Sequence, residues 1–170
     1  MKSKLYILCG IPFSGKSTLA AKIVDKFGST RIDLDQIKDE LIGREIIESQ
    51  IDQKSWDRIY TEMYLRIGQA LAAGQSVIHD TGNFTVYERS LVSKIASKLN
   101  IPFTTIYVDT STEVAYKRLV SNRLTKSRFN ISDKSFYDAV TEMEIPGPSE
   151  HTVIYNPNDN LDSWLSKNFK

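Results

Sequence analysis

Short apolar runs alternate along this chain with longer stretches in which apolar residues recur every three or four positions. Leu5-Tyr6-Ile7-Leu8-Cys9 is a compact run cut off by Gly10, the pattern of a strand buried on both faces. Leu19, Ile23, Val24 and Phe27 then recur at helical spacing, with Gly28 placed to end the helix. Residues 31–35 read as a second strand, and a polar helix carrying Ile37, Leu41 and Ile42 starts near Gln36. The clearest helix follows, with Trp56, Ile59, Tyr60, Met63, Tyr64, Ile67 and Leu71 on one broad stripe and Gly74 beyond it.

The second half repeats this rhythm. Residues 76–80 are strand-like, and Thr85-x-x-Glu88 has the form of a capping box before a helix through Leu91, Val92, Ile95 and Leu99. Phe103–Val108 reads as a strand, and Thr110-x-x-Glu113 as a second capping box for a helix to about Leu124. A basic segment spans residues 123–128, and another helix covers about 133–144. After Pro146-Gly147-Pro148 come a strand at 152–155 and a closing helix with Leu161, Trp164, Leu165 and Phe169. Strands that alternate with helices predict right-handed crossovers and a parallel sheet covered on both faces. The expected fold is therefore α/β: one domain over residues 1–170, of about five strands.

Composition narrows the reading. Over 170 residues, hydrophobic types make up 41% and charged types 25%, close to ordinary globular usage. Lys+Arg at 22 against Asp+Glu at 21 gives a formal charge of +1, which excludes a strongly basic nucleic-acid footprint while permitting a local patch. Cys9 stands alone, so no internal disulfide framework is expected. The apolar run after Lys4 meets Gly10 too soon for a signal peptide, and no stretch is apolar over a membrane's thickness. The expectation is a cytoplasmic protein.

The sharpest chemical signal is Gly10-Ile11-Pro12-Phe13-Ser14-Gly15-Lys16-Ser17, which matches G-x-x-x-x-G-K-[ST] between a buried strand and an amphipathic helix. Such a loop turns successive backbone N–H groups inward and adds the positive end of the following helix. In this reading Gly10, Pro12, Phe13, Ser14, Gly15 and Thr18 shape the nucleotide cradle. Lys16 bridges the β- and γ-phosphates, and the Ser17 hydroxyl ligates Mg²⁺. A guanine reader of the Asn-Lys-x-Asp type is missing: the nearest string, Asn156-Pro157-Asn158-Asp159, lacks the lysine.

Three further stretches point to phosphoryl transfer onto a bound acceptor. Ligands of parallel sheets bind beyond the carboxyl ends of the strands. Asp35 is expected there as the base that takes a proton from an acceptor hydroxyl, or as a helix N-cap. Asp33 is expected to be structural, and Lys38 to hold an anionic acceptor. Asp80, closing the third strand, is expected to orient Mg²⁺ or to touch the acceptor. Arg123 first, then Arg118 and Arg128, are expected as cations around the γ-phosphate. Five-residue steps turn a helix by ~140° past whole turns. The three arginines therefore converge only if the helix breaks after Arg123 and residues 118–132 form a closing lid.

Gly10 to Thr18, Asp35-x-x-Lys38, Asp80-Thr81-Gly82-Asn83-Phe84 with Arg89, and Arg118-x-x-x-x-Arg123 together resemble the small phosphate-loop kinases. That group holds the kinase domain of polynucleotide kinase, zeta toxins and chloramphenicol phosphotransferase. Glu144-x-Pro146-x-x-x-Glu150 before a strand is similar as well. The resemblance implies a nucleoside-monophosphate-kinase-like sheet with a lid bearing Arg123, ATP as donor and Asp35 as base. Lys38, Asp80, Asn83 and Arg89 then lie on the acceptor side. One departure is that Lys38 stands where polynucleotide kinases carry arginine. The acceptor expected is a hydroxyl on a small molecule or on a nucleic-acid 5′ end. The alternative is a nucleotide-dependent switch that has no acceptor.

Overall fold

The computed structural model describes residues 3–46, 48–125 and 130–169. Five strands, β1 (Leu5–Cys9), β2 (Thr30–Asp33), β3 (Val77–Asp80), β4 (Phe103–Val108) and β5 (Val153–Tyr155), form one sheet in the order β2-β3-β1-β4-β5. Every pairing is parallel. The helices between them are α1 (Lys16–Phe27), α2 (Leu34–Ile42), α3 (Gln53–Ala72), α4 (Val86–Lys98), α5 (Thr112–Thr125), α6 (Asp133–Glu142) and α7 (Leu161–Asn168).

The central strand β1 is buried from end to end because both of its faces are covered. Its alternation divides the core. Tyr6 and Leu8 pack with Leu19 and Ile23 of α1 and with Trp164 and Phe169 at the end of the chain. Leu5 and Ile7 pack on the opposite face with Ile59, Met63 and Ile67 of α3 and with Val92 and Ala96 of α4. A smaller cluster, Ile11, Ala115, Leu119 and Phe136, seats α5 and α6 beside the loop after β1. Each fully buried aliphatic side chain contributes on the order of 1.5–3 kcal/mol relative to exposure.

The junction of β2 and α2 differs from the sequence reading in a way that bears on the site. The second strand stops at Asp33, and α2 begins at Leu34 rather than near Gln36, because Asp33 itself is the N-cap. Its side chain accepts from the Asp35 and Gln36 amides. The cap role weighed for Asp35 therefore belongs to Asp33. The expected capping box at Thr110 is also absent: Ser111 Oγ accepts from the Val114 amide, and the Thr110 hydroxyl donates instead to the Ser14 carbonyl at 2.8 Å. The box at Thr85 and Glu88 is present with both of its reciprocal bonds.

Candidate functional site

The loop from Gly10 to Gly15 crosses the carboxyl edge of the sheet at its central strand and delivers the chain into α1. Gly10 has φ 151°, and a Cβ built there would stand 3.0 Å from both Ser14 Oγ and the Val108 carbonyl, so only glycine fits. Gly15, the N-cap residue, has φ 111° and offers no side-chain cap. The first amides of α1 thus take no cap from the Gly15 side, and they lie at the positive end of the helix, where an anion is favoured. Phe13 holds φ 61°, an uncommon conformation for an aromatic residue. Pro12 and Ser17 are half-buried, Ser14 is buried and Thr18 is exposed.

Lys16 Nζ donates to the carbonyls of Gly10 (2.6 Å) and Ile11 (2.8 Å), holding the ammonium across the mouth of the loop. Arg118 reaches the loop from α5: its Nη1 donates to the carbonyls of Phe13 (3.1 Å) and Ser14 (2.9 Å). Beside it opens a cleft of about 420 Å³, with Phe13, Gly15 and Thr18 on one side, Arg118 and Asn122 on another, and Tyr155 with Pro157 closing it. A phosphate chain seated on Gly10 to Ser17 would leave the rest of a nucleotide facing that cleft.

The second cluster lies at the ends of β2 and β3, where Asp33 and Asp80 are register partners. Arg31 donates to Asp80 Oδ2 from Nε (2.9 Å) and Nη2 (2.6 Å), and Nη2 also lies 2.6 Å from Asp33 Oδ2. Burial, and then the Asp80 carboxylate, raise the Asp33 pKa above its ordinary value. Asp35 is exposed on the first turn of α2. Lys38, expected to hold an anionic acceptor, is buried, donates to the Ile46 carbonyl at 3.3 Å and pairs with Asp39 at 3.1 Å.

The segment after Asp80 forms the wall between the two clusters. Asn83, with φ 49°, buries its amide, which donates to the Leu8 carbonyl (2.7 Å) and lies 3.2 Å from His79 Nδ1. Burial drives the His79 pKa down to about 3, so the ring is neutral. Nδ1 then accepts from Asn83, and Nε2 is left to face Met63 Sδ at 3.1 Å. Burial pushes the Cys9 thiol up to about 11, which keeps it protonated and inert as a nucleophile.

Arg89, expected on the acceptor side, is instead 1% exposed. It pairs twice with Glu150 (2.6 and 3.1 Å) and donates to the carbonyls of Asn83 and Phe84. Those bonds occupy its guanidinium in bracing the wall. Arg123 is also placed differently from the expectation of a cation over the loop, because its side chain is turned to Asp133 at the start of α6. Arg128 lies outside the described residues. No local pattern marks Arg31, whose partner Asp80 stands 49 positions away, or the bond of Thr110 to Ser14 across 96 positions.

Mg²⁺ fits this arrangement. Ser17 sits on the first turn of α1, and the buried Asp80 carboxylate takes both of its hydrogen bonds on Oδ2, so no donor among the described residues reaches Oδ1. Among those residues no helix is long and apolar enough to cross a membrane.

Solved structures share this fold. A kinase candidate from Chloroflexus aurantiacus aligns over 100% of both chains at 17% identity and a TM-score of 0.76. Kti12 of Chaetomium thermophilum, in complex with ADP-AlF3, aligns over 96% of both chains at 17% identity and a TM-score of 0.75. The APS kinase CysC of Mycobacterium tuberculosis, in complex with AMPPNP and APS, aligns over 98% of this chain and 95% of its own, at 15% identity and a TM-score of 0.64. At these identities the likeness is one of fold. Among curated protein sequences none matches this chain. The AAA domain family does match, over residues 5–146, which takes in the phosphate loop, Asp33, Asp80 and the α5 arginine at the loop. The chain therefore belongs to the AAA domain family, with the five-stranded parallel sheet of the phosphate-loop kinases.

Proposed function

We propose that this protein is an ATP-dependent kinase that moves the γ-phosphoryl group of ATP to a hydroxyl, on a small molecule or a nucleic-acid 5′ end. One observation carries the reading. A phosphate loop with Lys16 and Ser17, and a carboxylate cluster with Asp35 beside it, lie at the same edge of one parallel sheet. Within that cluster Asp35, beyond the carboxyl ends of the strands, is the group that an acceptor hydroxyl needs and that nucleotide binding alone does not.

In this reading the amides of α1 and the loop hold the β-phosphate, and the cleft beside Arg118 takes the nucleoside. Lys16 turns its ammonium from the Gly10 and Ile11 carbonyls to the transferring phosphate, where it offsets charge that grows as the bond to the leaving oxygen breaks. Ser17 and Asp80 would hold Mg²⁺, which when bound draws charge from the phosphate oxygens. Asp35, on the solvent side of α2, takes the proton of the attacking hydroxyl. Arg118 keeps the loop in shape through its two carbonyl contacts and stands at the mouth of the cleft. Asn83 and Lys38 shape the acceptor side from within, through their bonds to Leu8 and Ile46.

The test is a screen with labelled ATP and Mg²⁺ against nucleosides, sugars, antibiotics and 5′-hydroxyl oligonucleotides. Transfer to one class, lost in Lys16→Ala, is the expected result. Slow hydrolysis with no labelled acceptor would make the protein a nucleotide-dependent switch.

A further inference from the structure

We propose that Arg31 is a positioning residue that ties the Asp80 carboxylate to Asp33 and thereby fixes the first turn of α2, which carries Asp35. Its consequence for turnover rests on the kinase reading above; the mechanical coupling does not.

The connection can be followed atom by atom. Asp33 and Asp80 are register partners on neighbouring parallel strands, so both carboxylates leave the sheet on the same side. Two like charges so placed repel. Arg31 stands two residues before Asp33 on β2, and its side chain therefore emerges on that side too. One guanidinium answers both carboxylates, through Nε and Nη2 to Asp80 Oδ2 and through Nη2 to Asp33 Oδ2.

The other Asp33 oxygen, Oδ1, accepts from the Asp35 amide at 2.9 Å and the Gln36 amide at 3.4 Å. Those are two of the first-turn amides that have no partner within a helix. Asp33 thus spends one oxygen on the start of α2 and the other on Arg31. The Asp80 side chain is 3% exposed and that of Arg31 33%, so the anchor is buried while the arm lies nearer solvent. A lysine could neutralise the pair, but it has no planar fork with which to hold both carboxylates in one orientation.

A surface ion pair would matter little to either stability or activity. A purely structural tie would lower stability and leave turnover per folded molecule unchanged. A positioning tie moves a different quantity: kcat, with the KM for ATP held, because the phosphate loop does not depend on Arg31.

The experiment compares wild type, Arg31→Gln and Arg31→Lys in the full chain. Amide hydrogen exchange at Asp35 and Gln36 should speed by about tenfold in Arg31→Gln, the loss of roughly one hydrogen bond, while α1 amides stay unchanged. With the acceptor found by the screen, kcat should fall by roughly 10–100-fold, the usual cost of losing an outer-shell partner. The KM for ATP should remain within about twofold, and Arg31→Lys should recover part of the kcat. Unchanged exchange at Asp35 and Gln36, or undiminished kcat, would overturn the proposal. If Arg31→Gln does not fold, the same two readouts on Arg31→Lys decide. If wild type phosphorylates nothing, the kinase reading fails and the exchange rates still decide whether Arg31 holds α2.

Discussion

Around Lys16 the groups that would grip a phosphate come from consecutive residues, Gly10 to Ser17, shaped by one strand and one helix. Around Asp80 the groups come from two strand ends and a helix start, and Arg31 meets its partner 49 positions away. The first region draws its phosphate-gripping groups from one stretch of sequence, and glycine φ angles and a lysine folded over its own loop shape it, with Thr110 and Arg118 bracing its carbonyls from outside. The second exists only once β2 and β3 have paired in register. A change in the first should therefore remove chemistry and spare the fold, whereas changes in the second should spread into the geometry of neighbouring elements.

Lys16→Ala is the severest test of that contrast. Turnover should fall by more than ~10³-fold, because a cation on the transferring group is lost along with its orienting bonds, while the thermal midpoint stays near that of wild type. Next comes Asp35→Asn, for which a loss of ~10²–10⁴-fold in turnover is expected with unchanged stability, since Asp33 is the cap. Normal turnover in that variant would pass the base role to Asp80. Arg89→Met inverts the pattern: leaving Glu150 without its buried partner should cost about 3–5 kcal/mol of stability, read by urea unfolding.

A fourth prediction concerns pH. The folded pKa of His79 lies near 3, well below its ordinary value of 6.5, so the unfolded chain binds a proton that the native chain refuses. Stability should hold above pH 6.5 and fall by about 1.4 kcal/mol per unit as the pH drops below it. Unfolding free energies at pH 7 and 5.5 measure this, and His79→Gln should flatten the slope. The smallest effect on stability is expected for Asp33→Ala, with a loss of about 1 kcal/mol from the missing cap and a shift of roughly 2–4 °C. A fall in turnover beyond that stability loss would sharpen the contrast, because it would show α2 being aimed as well as capped.

What could be read in the sequence follows the same division. The phosphate loop, β1, β4 and the Thr85 capping box depend on neighbours within a few residues, and the structure has them at the positions expected. That the sheet is parallel and covered on both faces follows from the alternation of elements and the preference for right-handed crossovers, but its order, β2-β3-β1-β4-β5, is set by long-range pairing that no local pattern carries. The end of β2 is not legible because Asp33 and Asp35 are equally good caps as isolated residues, and only in the fold does Asp33 accept from the Asp35 and Gln36 amides. Arg89 and Arg123 look alike in sequence, yet one is enclosed by Glu150 and two carbonyls and the other is turned to Asp133. Charge in sequence says nothing about which carboxylate will be within reach. Thr110 illustrates the same point: its hydroxyl serves the Ser14 carbonyl, leaving the helix start to Ser111.

The Arg89–Glu150 pair also bears on how the chain is made. The family match ends at residue 146, yet Glu150, strand β5 and the Trp164 and Phe169 side chains of the core all come later. A nascent chain halted at residue 146 already holds the phosphate loop and the carboxylate cluster but has a buried guanidinium with no counter-charge and a sheet whose fourth strand is an open edge. At the usual 5–20 residues per second, the interval until residues 147–170 are added is roughly one to five seconds. During it the wall behind Asn83 lacks Glu150, and the core under α1 lacks Trp164 and Phe169. The last stretch of chain to be made thus completes both regions at once: Glu150 for the wall, and Tyr155, Trp164 and Phe169 for the core and cleft beside the phosphate loop.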